Sequence, residues 1–285
     1  MKFAVDLPNF GAFSDARLLA QLAKDAEDAG WDGFFIWDHI RRATDHDVVD
    51  PWIALSAIAM NTEKIKIGPM VTPVARRRPW KLARETASLD HLSKGRLIFG
   101  AGLGSSGGSE VEWSNLGEEE NLKIRAQMLD EGLDIMNGLW SGQNFDYDGQ
   151  HYQVKDTIFT PTPVQNPRIP VWIAGFWPNK APFRRAARWD GMIPLLPDEN
   201  RLAHLKSAIE YVRGQRASDA PFDVVHLTRK PSANDHDIAE QVASFTNVGV
   251  NWWVEELIPP YFGTDWEEQW DFEAMHQYII NGPPR

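Results

Sequence analysis

Cysteine is absent from this chain of 285 residues. That excludes a disulfide framework, a thiolate nucleophile and a cysteine-ligated metal. Positive charge is scarce: 29 lysines and arginines stand against 40 aspartates and glutamates, a formal net charge of −11. The balance argues against nucleic acid as the main partner, because the phosphate backbone demands a basic face. No apolar run approaches the roughly 18 residues that span a bilayer. Met1-Lys2-Phe3-Ala4-Val5 enters a strand-like segment at once, without a signal-peptide core. A soluble, cytoplasmic protein with no membrane partner is expected. The first apolar run ends Asp6-Leu7-Pro8-Asn9, with no His-x-His, and no His-Glu-x-x-His occurs. Metal catalysis is therefore not expected. Nor is there a Gly-x-Ser-x-Gly elbow for a serine hydrolase.

What is present is a regular alternation of short apolar runs and amphipathic segments. Strands are expected at Phe3–Leu7, Gly33–Trp37, Ile65–Val71, Arg96–Gly100, Pro170–Ala174, Gly191–Leu195, Phe222–Thr228 and Val250–Glu255. Each is followed by a helical pattern. Ser14-Asp15 precedes the stripe Leu18, Leu19, Leu22, Ala23 and Ala26, while Pro51 and Pro79 open the next two helices. Others are expected from about Asn121 to Trp140 and from about Trp266 to Ile280. Residues 143–168 break the rhythm and read as an inserted excursion, with a small hairpin around Asp148-Gly149. Eight βα units of roughly 35 residues predict a single-domain (β/α)8 TIM barrel over residues 1–285, with the insertion between the fourth helix and the fifth strand. A doubly wound open sheet is the rival. It needs a reversal of strand order that a sequence does not display.

A barrel carries its active site at the C-terminal ends of its strands. Those ends are Asn9, Trp37 to His39, Val71 to Pro73, Gly104 to Ser106, Ala174 to Trp177, Leu195 to Pro197, Thr228-Arg229 and Glu255-Glu256. His39 leads the chemical candidates, since imidazole can donate, accept or titrate near neutral pH. Its plainer role would be to tie down the following loop. Asp45-His46-Asp47 has metal-ligand residue types but reads as a solvated loop. Gly102-Leu103-Gly104-Ser105-Ser106-Gly107 matches Gly-x-Gly-x-x-Gly, yet it follows the fourth strand and runs on as loop, so a dinucleotide fingerprint is not expected. Small residues there would instead let a planar ligand approach the backbone. Arg76-Arg77-Arg78 is either an anion site or a set of arginines paired with carboxylates. Ala174-Gly175-Phe176-Trp177-Pro178-Asn179 precedes a helix whose N-terminus could take phosphate.

With these residues in hand, the chain resembles the luciferase-like flavin-dependent oxidoreductase superfamily. The matching stretches run in order through Ala26 to Asp32, Trp37-Asp38-His39, Asp50-Pro51-Trp52, Thr62 to Gly68, Leu89 to Arg96, Gly100 to Gly104, Asp148 to Tyr152, Pro161 to Gln165, Pro170 to Gly175 and Arg185 to Gly191. The resemblance implies a barrel with FMN or the deazaflavin coenzyme F-420 across its catalytic face. It implies a bulge, often with a non-prolyl cis peptide, at Met70-Val71. It places cofactor contacts at Asp38, Met70, Val71, Thr72, Gly102, Gly104, Ala174, Gly175 and Phe176, with the phosphate near the last three. His39 would be the acid/base or would hydrogen-bond a small organic substrate. No metal is implied, and a homodimer is. Glucose-6-phosphate dehydrogenases of this type carry a glutamate just after the glycines of the fourth strand. Ser105 or Ser106 stands there, which argues against that reaction. The chemistry would be monooxygenation with reduced FMN or hydride transfer with F-420, and the alternative is a non-catalytic flavin carrier. Trp37, Trp52, Phe176 and Trp177 are expected to line the cofactor cavity in either case.

Overall fold

The computed structural model describes residues 1–42, 46–104, 110–228 and 238–284. Nine strands form one parallel sheet: β1 (Lys2–Leu7), β2 (Gly33–Ile36), β3 (Lys66–Pro69), β4 (Thr72–Pro73), β5 (Phe99–Gly102), β8 (Val171–Phe176), β9 (Gly191–Leu195), β10 (Asp223–Leu227) and β11 (Trp252–Glu256). Between β5 and β8 an antiparallel hairpin, β6 (Phe145–Asp148) and β7 (Gln153–Thr157), stands apart. It is the excursion expected for 143–168. The Glu131 carboxylate fastens its turn by accepting the amides of Gln150, His151 and Tyr152.

The order β3-β2-β1-β11-β10-β9-β8-β5-β4 separates a barrel from its rival. β1 lies between β2 and β11, so the first and last strands are neighbours. β3 and β4 are two halves of one strand interrupted at Met70–Val71, whose peptide bond is cis. The first half reaches the segment just before β5 through the Ile67–Leu97 bridge, and the second half pairs Thr72 with Ala101 of β5. The ring therefore closes. A Cβ on Gly68 would collide with the Ile98 carbonyl oxygen and one on Gly100 with the Pro69 carbonyl oxygen, so glycine is needed where these backbones meet.

Local chemistry sets the helices: α1 (Ala16–Asp28), α2 (Pro51–Asn61), α3 (Pro79–Leu92), α4 (Leu122–Trp140), α5 (Lys180–Ala186), α6 (Arg201–Gln215), α7 (Ile238–Val248) and α8 (Phe272–Ile280). Asp15, Asp50 and Asn121 cap α1, α2 and α4 by accepting amides of the first turn. The C-terminal helix is shorter than its pattern predicts. Asp271 caps it at Ala274, and the rings of Trp266 and Trp270 turn back onto Phe10 at 5.8 and 5.6 Å. β5, the fourth of the expected strands, starts at Phe99 rather than Arg96. The buried Arg96 guanidinium instead bonds the carbonyls of Ala59, Thr62, Ile65 and Ser93 and the Thr62 hydroxyl.

Side chains alternate across each strand. One face packs the strands against the helices. The other fills the barrel with Ala4, Phe35, Trp172, Ile193, Val225, Trp252 and Val254. This apolar plug ends one layer below the C-terminal ends of the strands. Among the described residues no helix is long and apolar enough to cross a membrane.

Candidate active site

Above the plug lies a cavity of about 540 Å³, within the range of small-ligand and cofactor sites. Met70, Val71, Gly102, Leu103, Ala174, Ile193 and Leu195 give it apolar walls, and Asp6, His39, Arg42, Glu112 and Glu256 bring polar groups to it.

His39 is held from both ends. Its backbone is clamped by the buried Asn9 side chain, which donates to the His39 carbonyl at 2.8 Å and accepts the His39 amide at 3.1 Å. Its ring Nδ1 lies 2.8 Å from Glu112 Oε2. The other Glu112 oxygen accepts the amides of Ile40 at 2.7 Å and Arg41 at 3.3 Å, with Arg76 Nη1 at 3.2 Å. Burial alone would push the Glu112 carboxyl up. The His39 hydrogen bond, the His39 and Arg76 charges and the Ile40 amide outweigh it and hold the group below the usual glutamate range. The carboxylate is thus the resident form. It fixes the imidazole with Nε2 as the remaining ring nitrogen, and among the described residues Nε2 makes no hydrogen bond. Glu112 owes its place to Trp113, a 2% exposed ring carrying the Arg125 guanidinium 3.8 Å from its centroid.

Asp38 and the arginine run form a support beneath this pair. The Asp38 carboxylate, fully buried, accepts from the Thr72 hydroxyl at 2.7 Å, from Arg76 at 2.9 Å and from Arg77 at 2.8 and 3.0 Å. Arg76 and Arg77 are therefore paired with carboxylates, and Arg78 is exposed at the start of α3. Asp38 reaches the cavity wall with its hydrogen-bonding capacity already used. Thr72 lies behind it and does not line the cavity.

The remaining expected contacts, Met70, Val71, Gly102, Gly104, Ala174, Gly175 and Phe176, all line the cavity. The glycines also have a reason within the protein itself. A Cβ on Gly102 would sit 2.7 Å from Val71 Cγ2, and one on Gly175 would collide with Pro182 of α5. Glycine there seats the protein's own side chains. Gly104, at φ +82°, turns the chain beneath Trp113. α5 is only seven residues long, so its N-terminus is a weak support for a phosphate. Of the four expected aromatics, Trp37 and Phe176 line the cavity. Trp52 is buried beneath Arg77 at 5.7 Å and Trp177 against Phe183 at 5.1 Å. His46 is packed on Phe10 and bonds the Trp266 carbonyl instead of standing in a solvated loop, and among the described residues no group of three metal-ligating side chains converges. Asp45, Ser105, Ser106 and Arg229 lie outside the described residues.

A model of the family described as luciferase-like monooxygenase matches residues 2–271. The chain belongs to the luciferase-like monooxygenase family. An F-420-dependent glucose-6-phosphate dehydrogenase of Microbacterium testaceum is 33% identical over 236 residues, 77% of this chain and 66% of that relative. An F-420-dependent hydroxymycolic acid dehydrogenase of Mycobacterium tuberculosis is 30% identical over 192 residues, 66% of this chain and 51% of that relative. The chain thus spans between about half and two thirds of the length of these curated relatives. Among solved structures, the coenzyme F-420-dependent tetrahydromethanopterin reductase of Methanopyrus kandleri superposes with a TM-score of 0.72 at 17% identity, covering 98% of this chain and 96% of that one. The oxygenating constituent of 3,6-diketocamphane monooxygenase from Pseudomonas putida, in complex with FMN, gives 0.68 at 16% identity, covering 99% and 96%. At those identities the likeness concerns the fold.

For this luciferase-like chain, sequence reasoning missed Glu112, Asp6, Arg42 and Trp266. Trp266 lay in what read as a helix, and Glu112 in a loop of no recognisable period. Asp6 carried a signal, since a lone acid inside an otherwise apolar strand needs a polar partner or a site to face.

Proposed function

We propose that the protein is a flavin-type oxidoreductase that moves a hydride between coenzyme F-420 and a small alcohol or carbonyl substrate. The observation that carries this reading is the His39–Glu112 pair opening on an apolar-walled cavity of about 540 Å³. The F-420-dependent relatives support deazaflavin over FMN. The residues present fit such a group: a tricyclic ring requires flat apolar walls, and Met70-Val71, Gly102 to Gly104 and Ala174 to Phe176 supply them. These residues would hold the ring. When bound, the coenzyme supplies the hydride acceptor or donor.

The protein's share is proton handling and exclusion of water. In the oxidising direction His39 Nε2 takes the substrate hydroxyl proton as the carbinol C–H leaves as hydride. Glu112 Oε2, already anionic, stabilises the imidazolium across the 2.8 Å contact. In the reducing direction the same nitrogen returns the proton. A flavin carrier has no use for a carboxylate-backed imidazole at its cavity, which favours the enzyme.

The experiment titrates the purified protein with F-420 and separately with FMN, oxidised and reduced, and then measures turnover of wild type and His39→Ala. Micromolar F-420 binding is expected. The variant should keep that affinity and lose about 10²- to 10⁴-fold in kcat. Binding of reduced FMN alone would replace this reading with oxygen activation. Loss of affinity with normal turnover at saturation would remove His39 from the chemistry.

A further inference from the structure

Among the described residues four carboxyl groups line the cavity, and the three buried ones, Asp38, Glu112 and Asp6, are engaged to different degrees. Both oxygens of Asp38 are taken by Thr72, Arg76 and Arg77. Both oxygens of Glu112 are taken by His39 and by the backbone beside it. Asp6 is 1% exposed and only half engaged: Trp37 Nε1 donates to Oδ2 at 2.9 Å, and Oδ1 has no partner among the described residues. A buried polar atom left unmet is a liability unless something comes to meet it.

Strand geometry fixes where that oxygen stands. On β1 the inward positions alternate as Ala4 and Asp6, and on β11 as Trp252, Val254 and Glu256. The parallel register sets Asp6 beside Glu256. The two acids crown the apolar plug and form the cavity floor. Trp37 links this floor to the reacting end, since its indole bonds Asp6 and its ring centroid lies 5.6 Å from that of His39.

We propose that Asp6 is a specificity-determining residue whose unpartnered carboxyl oxygen binds a second oxygen of the substrate, so that the cavity selects small diols or hydroxy ketones over mono-alcohols. The inference rests on the reading that the cavity oxidises or reduces a small organic molecule. His39 attends the reacting oxygen, and Asp6 anchors the other one. Burial and the neighbouring Glu256 push the Asp6 carboxyl well above the usual aspartate range, and the Trp37 hydrogen bond offsets this only in part. The shift is toward the acid form, which carries an O–H that can donate to a hydroxyl or carbonyl oxygen, as a carboxylate cannot.

The test uses wild type, Asp6→Asn, which keeps a neutral donor, and Asp6→Leu, which keeps the bulk and removes it. The probes are trans-1,2-cyclohexanediol and cyclohexanol, which differ by one hydroxyl. Infrared difference spectra of the whole chain should show, at neutral pH, a protonated-carboxyl band that Asp6→Asn abolishes and that the diol shifts. Calorimetry should show the diol bound about ten-fold or more tightly than the mono-alcohol by wild type and Asp6→Asn, a preference lost in Asp6→Leu. The same preference in all three proteins, or a carboxyl band absent or indifferent to the diol, overturns the assignment. Neither measurement needs a cofactor. Failure of F-420 and FMN to bind the same samples would remove the redox reading while the diol preference still decides the role of Asp6.

Discussion

Replacing Glu112 by glutamine changes one atom in the pair that we assign to proton transfer, and the structure dictates which way the new amide must lie. Oε1 accepts the Ile40 amide at 2.7 Å and the Arg41 amide at 3.3 Å, and it faces Arg76 at 3.2 Å. An NH2 group in that place would meet only donors. The glutamine oxygen must therefore take the Oε1 position and its NH2 the Oε2 position, 2.8 Å from His39 Nδ1. A donor facing Nδ1 forces that nitrogen to accept, so the ring proton moves to Nε2. The nitrogen that should receive the substrate proton then already carries one. Loss of the charge-assisted bond to the imidazolium is worth about 1.5–3 kcal/mol, about 10- to 150-fold in rate. The inverted tautomer adds to that, and the equivalent acid-to-amide exchange in a Ser–His–Asp triad lowers kcat about 10⁴-fold. We expect Glu112→Gln to lower kcat by between about 10² and 10⁴, with F-420 affinity within about threefold of wild type. Nitrogen-15 spectra of labelled histidine, assigned with His39→Ala, should show the His39 proton on Nδ1 in the neutral wild-type ring and on Nε2 in the variant. An unchanged tautomer, or turnover within threefold of wild type, would refute the reasoning.

Three further outcomes test the scaffold. His226 is packed 4.0 Å from the Phe245 ring and 4.7 Å from Trp253, and burial, aided by the Arg201 charge, pulls its pKa from 6.5 to about 3. Its folded pKa lies below its unfolded one, so its contribution is complete above pH 6.5 and is lost as pH falls. Urea titrations at pH 7.5 and pH 5 should show wild type losing about 2 kcal/mol more than His226→Leu over that interval, and equal losses would refute the shift. Arg96→Met strands four carbonyls and a hydroxyl that the guanidinium now satisfies, so we expect a loss of about 3–5 kcal/mol in unfolding free energy, against which a change under about 1 kcal/mol would count. Gly68→Ala drives a methyl into the Ile98 carbonyl where the barrel closes; we expect a destabilisation of about 1–3 kcal/mol or insoluble protein, and a melting temperature within about 2 °C of wild type would show that the strands can part.

The barrel was legible because its signals are local and repeated. The Asp15 and Asp50 caps, the prolines opening α2 and α3, and the short apolar runs each point the same way as their neighbours. Boundaries slipped where a side chain found a distant partner. Arg96 leaves the strand pattern because its guanidinium reaches back to Ala59 and Thr62, 37 and 34 residues away. Trp266 leaves the helical pattern because its ring closes on Phe10. No window of sequence contains both halves of either contact. His39 and Asp38 were legible for the opposite reason, since both follow directly from the end of a strand that periodicity locates.

The site shows the same division, and it explains why the chemistry was only half readable. A histidine at a strand end is visible in the sequence, but its usefulness depends on what holds its far nitrogen, and here that group lies 73 residues on. Glu112 follows no strand and belongs to no periodic run; it is placed by Trp113 packing beneath Arg125 and by amides that belong to the His39 loop itself. Asp6 is the converse case. Its position inside an apolar strand marks it as unusual, yet only the register of β1 against β11 shows that it stands beside Glu256 at the cavity floor instead of meeting a cation in the core. Each strand end thus offers a reactive group that sequence can name, and the contacts that hold it from the next strand or a distant loop decide whether that group acts as base, anchor or buttress.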